Sequence, residues 1–366
     1  MSTIKINVIL FGIGNVGSTL VNQVLESQQF FIEKKNIDIR FPVITNSTVA
    51  FFEKEGVKNN WEANFTNASI PYQINQIIDY IKNENLENVI VVDATASEHF
   101  VQNYVAFIQA GFHIVAANKK ANTLHQDFYK ELRKNLKKYG KKFLYETNVG
   151  AALPVIKTIQ DLHFSGDKIT KVRGVFSGTL SYIFNRFSTE DTSFSTILMD
   201  AENLGLTEPD SREDLSGNDV ARKLLILARE LELDIELSNI QIETLLLPNL
   251  NEKNTKKEYQ ESKKLFDKPF EIAKITQLGT HVLRYIGEID LENKKWQVKL
   301  VSEPRNSPLG QLKGADNLIE IYTKTYGEIP IVIQGAGAGK QVTARGVLSD
   351  ILNIASQIKV KHKVLI

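Results

Sequence analysis

The chain has 366 residues, 42% of them apolar and 24% charged, with no cysteine and a formal net charge of +1; this is long enough for two domains and ordinary for a soluble globular protein. The near-neutral charge argues against a nucleic-acid or membrane-surface partner. No apolar run reaches the roughly 18 residues of a spanning helix, and "MSTIKIN" lacks a signal-peptide pattern, so a cytoplasmic location is expected. The missing cysteines exclude disulfides, Cys-ligated zinc and a thiol nucleophile, and six scattered histidines without an H-x-x-x-H pair speak against a His-rich metal site.

Along the chain, "KINVILF" is an Ile/Val-rich run suited to a strand buried on both faces. "GIGNVG" follows, with Gly12, Gly14 and Gly17 spaced G-x-G-x-x-G and Asn15 and Val16 between them. "STLVNQVLESQ" then carries Leu20, Val21, Val24 and Leu25 at helical spacing. A glycine motif at a strand-to-helix turn is the context in which it binds a dinucleotide. Gly12 permits the tight turn, Gly14 lets a pyrophosphate approach, and Gly17 lets the helix pack on the sheet. The free N–H groups of the helix start face the phosphates.

After a polar insertion around Glu33 to Asn36, "IDIRFPVITNS" reads as a second strand and "ENVIVVDATAS" as another. "EHFVQNYVAFIQAGF" reads as one helix stopped by Gly111, and "HIVAANKK" as a strand. "TLHQDFYKELRKNLKKYG" reads as a helix stopped by Gly140, and "KFLYETNVG" as a strand. This alternation predicts a Rossmann-type, doubly wound parallel sheet of α/β class over residues 1–148. Thr95, Ser97, Asn118, Lys119 and Glu146 fall at the C-terminal strand ends, where ligands bind in such sheets.

Past Gly150 the pattern is α+β, and residues 149–330 read as a substrate and dimerisation domain. "KITKVRGVFSGTLSYIFNRF" is a strand, a Gly-Thr turn and a helix; "FSTILMDAENLGL" and "VARKLLILARELEL" are helices. Between these last two lies "TEPDSREDLSGND", a loop with Glu208, Asp210, Glu213 and Asp214 that suits a cationic ligand such as an amino group. Asp219 and Lys223 stand at i and i+4 on one helix face. A surface ion pair is one reading. A lysine held near carboxylates and partly buried can also exchange protons. Pro248 to Lys268 reads as a solvated surface segment, and "HVLRYIGEID" with "KWQVKLVSE" as an antiparallel pair. Residues 331–366 carry a second glycine-rich turn, "GAGAGKQVTARGVLSDIL", before a helix. Either that helix simply packs on the first domain, or the chain returns there and Gly337 and Gly339 complete the cofactor cleft.

Taken in order, "GIGNVG", "VVDATAS", "AANKKANT", "ETNVGAALPVI", "SGTLSYIF", "GLTEPDSREDLSGNDVARKLLILARE" and "GAGAGKQVTARGVLSDIL" resemble homoserine dehydrogenase over nearly the whole chain. They are most similar to the dehydrogenase half of bifunctional aspartokinase–homoserine dehydrogenases. The resemblance implies interconversion of L-homoserine and L-aspartate 4-semialdehyde with NADP(H), or with NAD(H). It implies that Lys223 shuttles the proton and that Lys119 lies beside nicotinamide and substrate. It also implies that Glu208 and Asp219 hold the amino group with Asp214 nearby, and that Thr95 and Lys119 touch the cofactor. Glu146, Val149, Ala151 and Leu153 match a family site for a monovalent cation, Na⁺ or K⁺, and a homodimer is expected. Ala152 and Leu206 depart from the family's usual Gly and Tyr. No kinase or regulatory segment flanks the motifs, so threonine is expected to be inert or a weak competitor.

Two other readings fit the same residues: a dehydrogenase acting on a C–N bond, and a non-catalytic nucleotide sensor. The residues favour aldehyde–alcohol exchange over oxidation of an aldehyde to an acyl product. The latter usually proceeds through a covalent thiol, whereas the former needs only a hydride path and a proton shuttle.

Overall fold

A computed structural model describes residues 3–248, 250 and 255–364, with side chains through residue 358. The chain divides into two compact units. The first comprises residues 1–152 with 339–366, and the second residues 153–338.

The first unit is built on strands β1 (Ile4–Phe11), β2 (Ile37–Thr45), β3 (Val49–Phe52), β4 (Ile70–Pro71), β5 (Val89–Asp93), β6 (His113–Ala116) and β7 (Phe143–Leu144). Their order is β4-β3-β2-β1-β5-β6-β7. β2, β1, β5, β6 and β7 run parallel; β3 and β4 add an antiparallel edge. Helices α1 (Asn15–Phe30), α2 (Trp61–Ala68), α3 (Ile74–Asn83), α4 (Glu98–Val101), α5 (Tyr104–Gln109) and α6 (Gln126–Tyr139) connect them.

Alternation along β1 explains the double layer. Ile6, Val8 and Leu10 face a core shared with α1 and the C-terminal helix, Lys340–Val364. Ile9 and Phe11 face a second core with Ile77, Ile78 and Ile81 of α3 and Phe107 of α5. The C-terminal helix packs along α1, where Gln23 Nε2 donates to the Gln341 carbonyl at 3.0 Å.

Several local readings change. The insertion at Glu33 continues α1 as one π-helical turn, Phe31–Lys35, ended by Asn36 in the left-handed region. Pro42 is accommodated inside β2 because the β1–β2 register slips between Asn7 and Ile9 there, so its missing N–H removes no ladder bond. The helix expected at "EHFVQNYVAFIQAGF" breaks in two between Val101 and Tyr104. β6 ends at Ala116, so "NKK" leaves the sheet, and Lys120–Asn122 forms a 3₁₀ turn. β7 keeps only two residues, and Glu146–Asn148 is another 3₁₀ turn.

The second unit holds β8 (Ile169–Val175), β9 (Gln241–Ile242), β10 (His281–Asp290), β11 (Lys295–Pro304), β12 (Asp316–Thr323) and β13 (Ile331–Ala336), in the order β13-β12-β8-β10-β11-β9. Its helices are α7 (Val155–Phe164), α8 (Gly178–Thr189), α9 (Phe194–Asn203), α10 (Arg212–Leu215), α11 (Asn218–Glu230), α12 (Lys256–Ser262), α13 (Asp267–Ile275) and α14 (Pro308–Gln311). Gly287 of β10 lets α11 lie close to the sheet: a Cβ there would come within 2.9 Å of Leu224, next to Lys223.

The solvated segment expected from Pro248 to Lys268 is a correction. Asn249 and residues 251–254 lie outside the described residues, but from Lys256 on the chain is helical and buries Tyr259, Lys263 and Phe266. Its charged residues mask a buried face. Among the described residues no helix is long and apolar enough to cross a membrane.

Candidate active site

In the first unit, β1 is flanked by β2 and β5, so the strand order reverses beside its C-terminal end. Gly12 stands there at φ +91, with its N–H donating to the Thr45 carbonyl at 2.9 Å. A Cβ on Gly17 would sit 1.9 Å from the Gly12 carbonyl oxygen, so only glycine lets α1 begin this close to the turn. Gly14 has nothing within 4 Å of where a Cβ would be. It caps α1 without any side-chain hydrogen bond, and Asn15 and Val16 open the helix with no acid in the first turn. That combination of open backbone, helix start and absent carboxylate suits a phosphate group.

The loop after β5 forms the facing wall within the same unit. Ala94 lies 3.0 Å from the Cβ position of Gly12. Asp93 is fully buried and ties this loop to its neighbours. It accepts from Thr95 N at 2.8 Å, from Tyr104 Oη at 2.7 Å and from Asn118 Nδ2 at 2.9 Å. Asn118 Nδ2 also donates to the Ser97 carbonyl at 2.9 Å, and Asn118 Oδ1 accepts from Lys120 N at 3.0 Å. Burial raises the Asp93 pKa against these hydrogen bonds. Ser97 caps α4 by accepting from Phe100 N. Thr95 and Lys119 are thus held on two strand ends joined by one buried carboxylate. Sequence reading placed Asn118 at a strand end and gave Asp93 no role; an acid closing the run "VIVVD" was the available signal.

Glu146 opens the 3₁₀ turn after β7, and its N–H donates to Asp350 of the C-terminal helix at 3.0 Å. Burial pushes the Asp350 carboxyl up to about 7. Gly150 and Ala151 follow at φ +76 and +52. Ala152 has no positive φ, so an alanine there meets no left-handed strain. Gly346 leaves room for this turn: a Cβ would approach Thr147 to 2.5 Å.

In the second unit, Lys223 projects from α11 and is 8% exposed. Its Nζ lies 2.7 Å from Asp219 Oδ2, one turn earlier, and donates to the Phe176 carbonyl at 2.6 Å. Phe176 is the first residue after β8, on the turn into α8, which Ser177 caps. Thr179 in the first turn of α8 donates to the Leu206 carbonyl at 2.5 Å. Leu206 therefore joins the loop to α8 through its main chain, which needs no particular side chain.

The acid loop wraps around this point. Glu208 N donates to Asp214 Oδ2 at 2.9 Å. Burial, with Glu208 and Asp219 adding like charge, pushes the Asp214 carboxyl up to about 6 against the hydrogen bonds from Glu208 N and Thr179. Asp210 folds back onto Arg212, with Arg212 Nη2 2.6 Å from Asp210 Oδ2. The loop is braced from behind by the segment misread as solvated. Lys256 Nζ donates to the Pro209 carbonyl at 2.7 Å, Tyr259 Oη and Ser211 Oγ are 2.9 Å apart, and Lys263 pairs with Glu202. Gly217 starts α11 at φ +77, where a Cβ would meet Tyr285 Oη at 2.3 Å.

A family model described as "Homoserine dehydrogenase" matches residues 154–352, and one described as "Homoserine dehydrogenase, NAD binding domain" matches residues 12–146. The chain belongs to the homoserine dehydrogenase family. It is 42% identical over 96% of its length to the bifunctional aspartokinase/homoserine dehydrogenase of Buchnera aphidicola, of whose length it spans 43%. To the homoserine dehydrogenase of Schizosaccharomyces pombe it is 35% identical, covering 98% of this chain and 97% of that one. A solved structure of a Candida auris protein of unknown function shares 32% identity and superposes with a TM-score of 0.88, covering 97% of this chain and 99% of the other. The first unit thus carries the family's nicotinamide-nucleotide domain, and the second the domain that bears Lys223 and the acid loop.

Among the other expected positions, Gly337 and Gly339 fall on opposite sides of the boundary between the units. Gly337 has a packing reason to be glycine: a Cβ would lie 2.1 Å from the Asn317 side chain. Gly339 sits at φ +114 just before the C-terminal helix. Leu153 opens the second unit, while Glu146, Val149 and Ala151 belong to the first.

Proposed function

We propose that this chain interconverts L-homoserine and L-aspartate 4-semialdehyde with a nicotinamide cofactor. One observation carries the reading: a buried lysine ammonium held between a carboxylate and a main-chain carbonyl, within a loop of acids. In the reductive direction a hydride adds to the aldehyde carbon and a proton adds to its oxygen, giving the alcohol. The nicotinamide ring supplies that hydride when bound. Lys223 donates the proton as ammonium and takes it back as amine in the reverse direction, with Asp219 and the Phe176 carbonyl fixing where Nζ points. The chain has no cysteine, so acyl transfer through a thiol is closed to it.

Glu208, Asp214 and Asp219 would hold the substrate ammonium, since a compact set of carboxylates matches one positive charge. Lys119, placed by Asn118, would orient nicotinamide and substrate. Gly12, Gly14, Asn15, Val16 and Gly17 would carry the pyrophosphate, with Thr95 and Ser97 on the facing loop, and Gly337 and Gly339 would border the cleft. Glu146, Val149, Ala151 and Leu153 would hold a monovalent cation mainly by main-chain oxygens. The Glu146 and Leu153 carbonyls each accept one main-chain N–H, from Val149 and Val155, and a carbonyl oxygen has a second lone pair for a cation. Among the described residues no three His, Asp or Glu side chains gather as a metal cluster. The working assembly is a homodimer, checked by solution mass.

NADP(H) would be favoured over NAD(H) or used comparably. β2 ends at Thr45 and is followed by Asn46 and Ser47, with no carboxylate to repel a 2′-phosphate. Asn46 Oδ1 is engaged by Thr48 N and Val49 N at 2.9 and 2.8 Å, so it is the amide nitrogen that would face a phosphate. The test follows NADPH absorbance with aspartate semialdehyde as the varied substrate, homoserine being identified as product. NADPH should be preferred to NADH or used comparably by kcat/KM. No NADPH consumption with the semialdehyde, or a keto acid formed from homoserine, sinks the reading.

A further inference from the structure

We infer that Asn317 is a positioning residue for Lys223, an inference that rests on the proton-shuttle reading above. β12 runs antiparallel to β8 with Leu318 opposite Val175, which brings Asn317 beside Phe176 as β8 ends. Asn317 is fully buried, and its Nδ2 donates to the Phe176 carbonyl at 3.2 Å. That carbonyl is the one that accepts from Lys223 Nζ at 2.6 Å. One main-chain oxygen therefore receives two donors, a lysine from α11 and an amide from β12.

Two features accompany this amide. Its Oδ1 is buried without a hydrogen-bond partner, a cost that an apolar side chain of similar size would avoid. Room is also made for it: at Gly337, just past β13, any Cβ would lie 2.1 Å from the Asn317 Cγ and Nδ2. A glycine at 337 and an unpartnered acceptor thus go together with the donor that Asn317 presents to Phe176.

The chemistry supplies a reason for that donor. Lys223 alternates between ammonium and amine, and each proton loss weakens its hold on the buried Phe176 carbonyl. The Asn317 amide does not titrate. It keeps the carbonyl satisfied and oriented through both halves of the cycle, so the returning ammonium finds the same acceptor.

The test is a cycle of Asn317→Ala and Lys223→Ala, singly and together, read as kcat, cofactor KM and the pH profile of kcat. Asn317→Ala should lower kcat by about tenfold to a hundredfold, as expected for a displaced reacting group. It should shift the proton-transfer limb of the profile and leave the KM for NADPH unchanged. In the Lys223→Ala background it should cost almost nothing more. Equal losses with and without Lys223 would overturn the positioning role.

Asn317→Asp keeps the shape and guards against a folding defect. A protonated carboxyl can donate to Phe176 and an ionised one cannot, so its rate should fall away from wild type as pH rises. A profile parallel to wild type counts against the inference. If Lys223→Ala collapses while both Asn317 variants match wild type, the positioning role alone is lost. If Lys223→Ala keeps full activity, the shuttle reading falls, and this inference falls with it.

Discussion

The glycine turn of the first unit and the lysine cluster of the second solve different problems with different materials. The turn is contiguous: Gly12, Gly14 and Gly17 lie within six positions, and what matters is backbone shape and free space. The cluster is assembled from distant stretches: Phe176 and Thr179, the loop from Leu206 to Gly217, Asp219 and Lys223, and Asn317. A phosphate needs N–H groups and room, which one turn can offer. Moving a proton needs an acid or base whose surroundings are fixed on several sides, which one segment cannot supply. The two regions should therefore fail differently when broken.

The largest effect is expected at Lys223. Lys223→Ala removes the proton donor while the turn at Gly12 stays intact. Rates should fall about 10²–10⁴-fold, the usual loss for a positioned acid or base. NADPH affinity, measured by fluorescence titration, should change little. Near-normal turnover would take Lys223 out of the chemistry.

The converse break is Gly17→Ala. The added carbon would lie 1.9 Å from the Gly12 carbonyl oxygen, and a backbone atom cannot swing aside. Forcing α1 away should cost about 1–3 kcal/mol, as overpacking typically does. The expected signature is weaker NADPH binding and a lower Tm, with homoserine recognition preserved at saturating cofactor. Unchanged cofactor affinity and Tm would mean that the turn is not the tight element described.

These contrasts also explain what the sequence could reveal. The β1–turn–α1 unit was readable because its strand run, glycine spacing and helix spacing lie side by side. Asp219 and Lys223 were readable as an i, i+4 pair, since helical geometry alone brings them together. The Phe176 carbonyl was not, because a main-chain acceptor has no residue signature. Asn317 was not, because only the β8–β12 register brings it to Phe176 across 141 positions. The brace on the acid loop was missed for another reason. Tyr259, Lys263 and Phe266 sit among lysines and glutamates, so local composition signalled a solvated surface where tertiary contacts made a buried one. The antiparallel edge of β3 and β4 rests on strands of four and two residues, too short to signal by pattern, whereas α3 was legible in Ile74, Ile77, Ile78 and Ile81 at helical spacing.

The smallest expected effect, and the one that probes how the cluster is tuned, is the pH dependence set by Asp214. Its carboxyl is pushed up to about 6 because burial and the charges of Glu208 and Asp219 disfavour the ionised form. In an unfolded chain the same group titrates near 3.8. The native state therefore holds the proton more tightly. As pH rises from about 4 through 6, Asp214 makes the native state progressively less stable relative to the unfolded one, and above 6 the full cost is present. A substrate ammonium reverses the balance, because a positive charge beside Asp214 favours its ionised form. Acidification below 6 should therefore raise the KM for homoserine, approaching tenfold per pH unit, with little change in the KM for NADP⁺. Asp214→Asn should bind homoserine weakly at every pH and lose this limb. It should also melt higher than wild type at pH 8, where the cost of ionising the buried acid has been removed, and lose that advantage near pH 4. A homoserine KM that stays flat from pH 7 to 5 in the wild type would show that the substrate ammonium does not meet Asp214, and would move amino-group recognition to Glu208 and Asp219 alone.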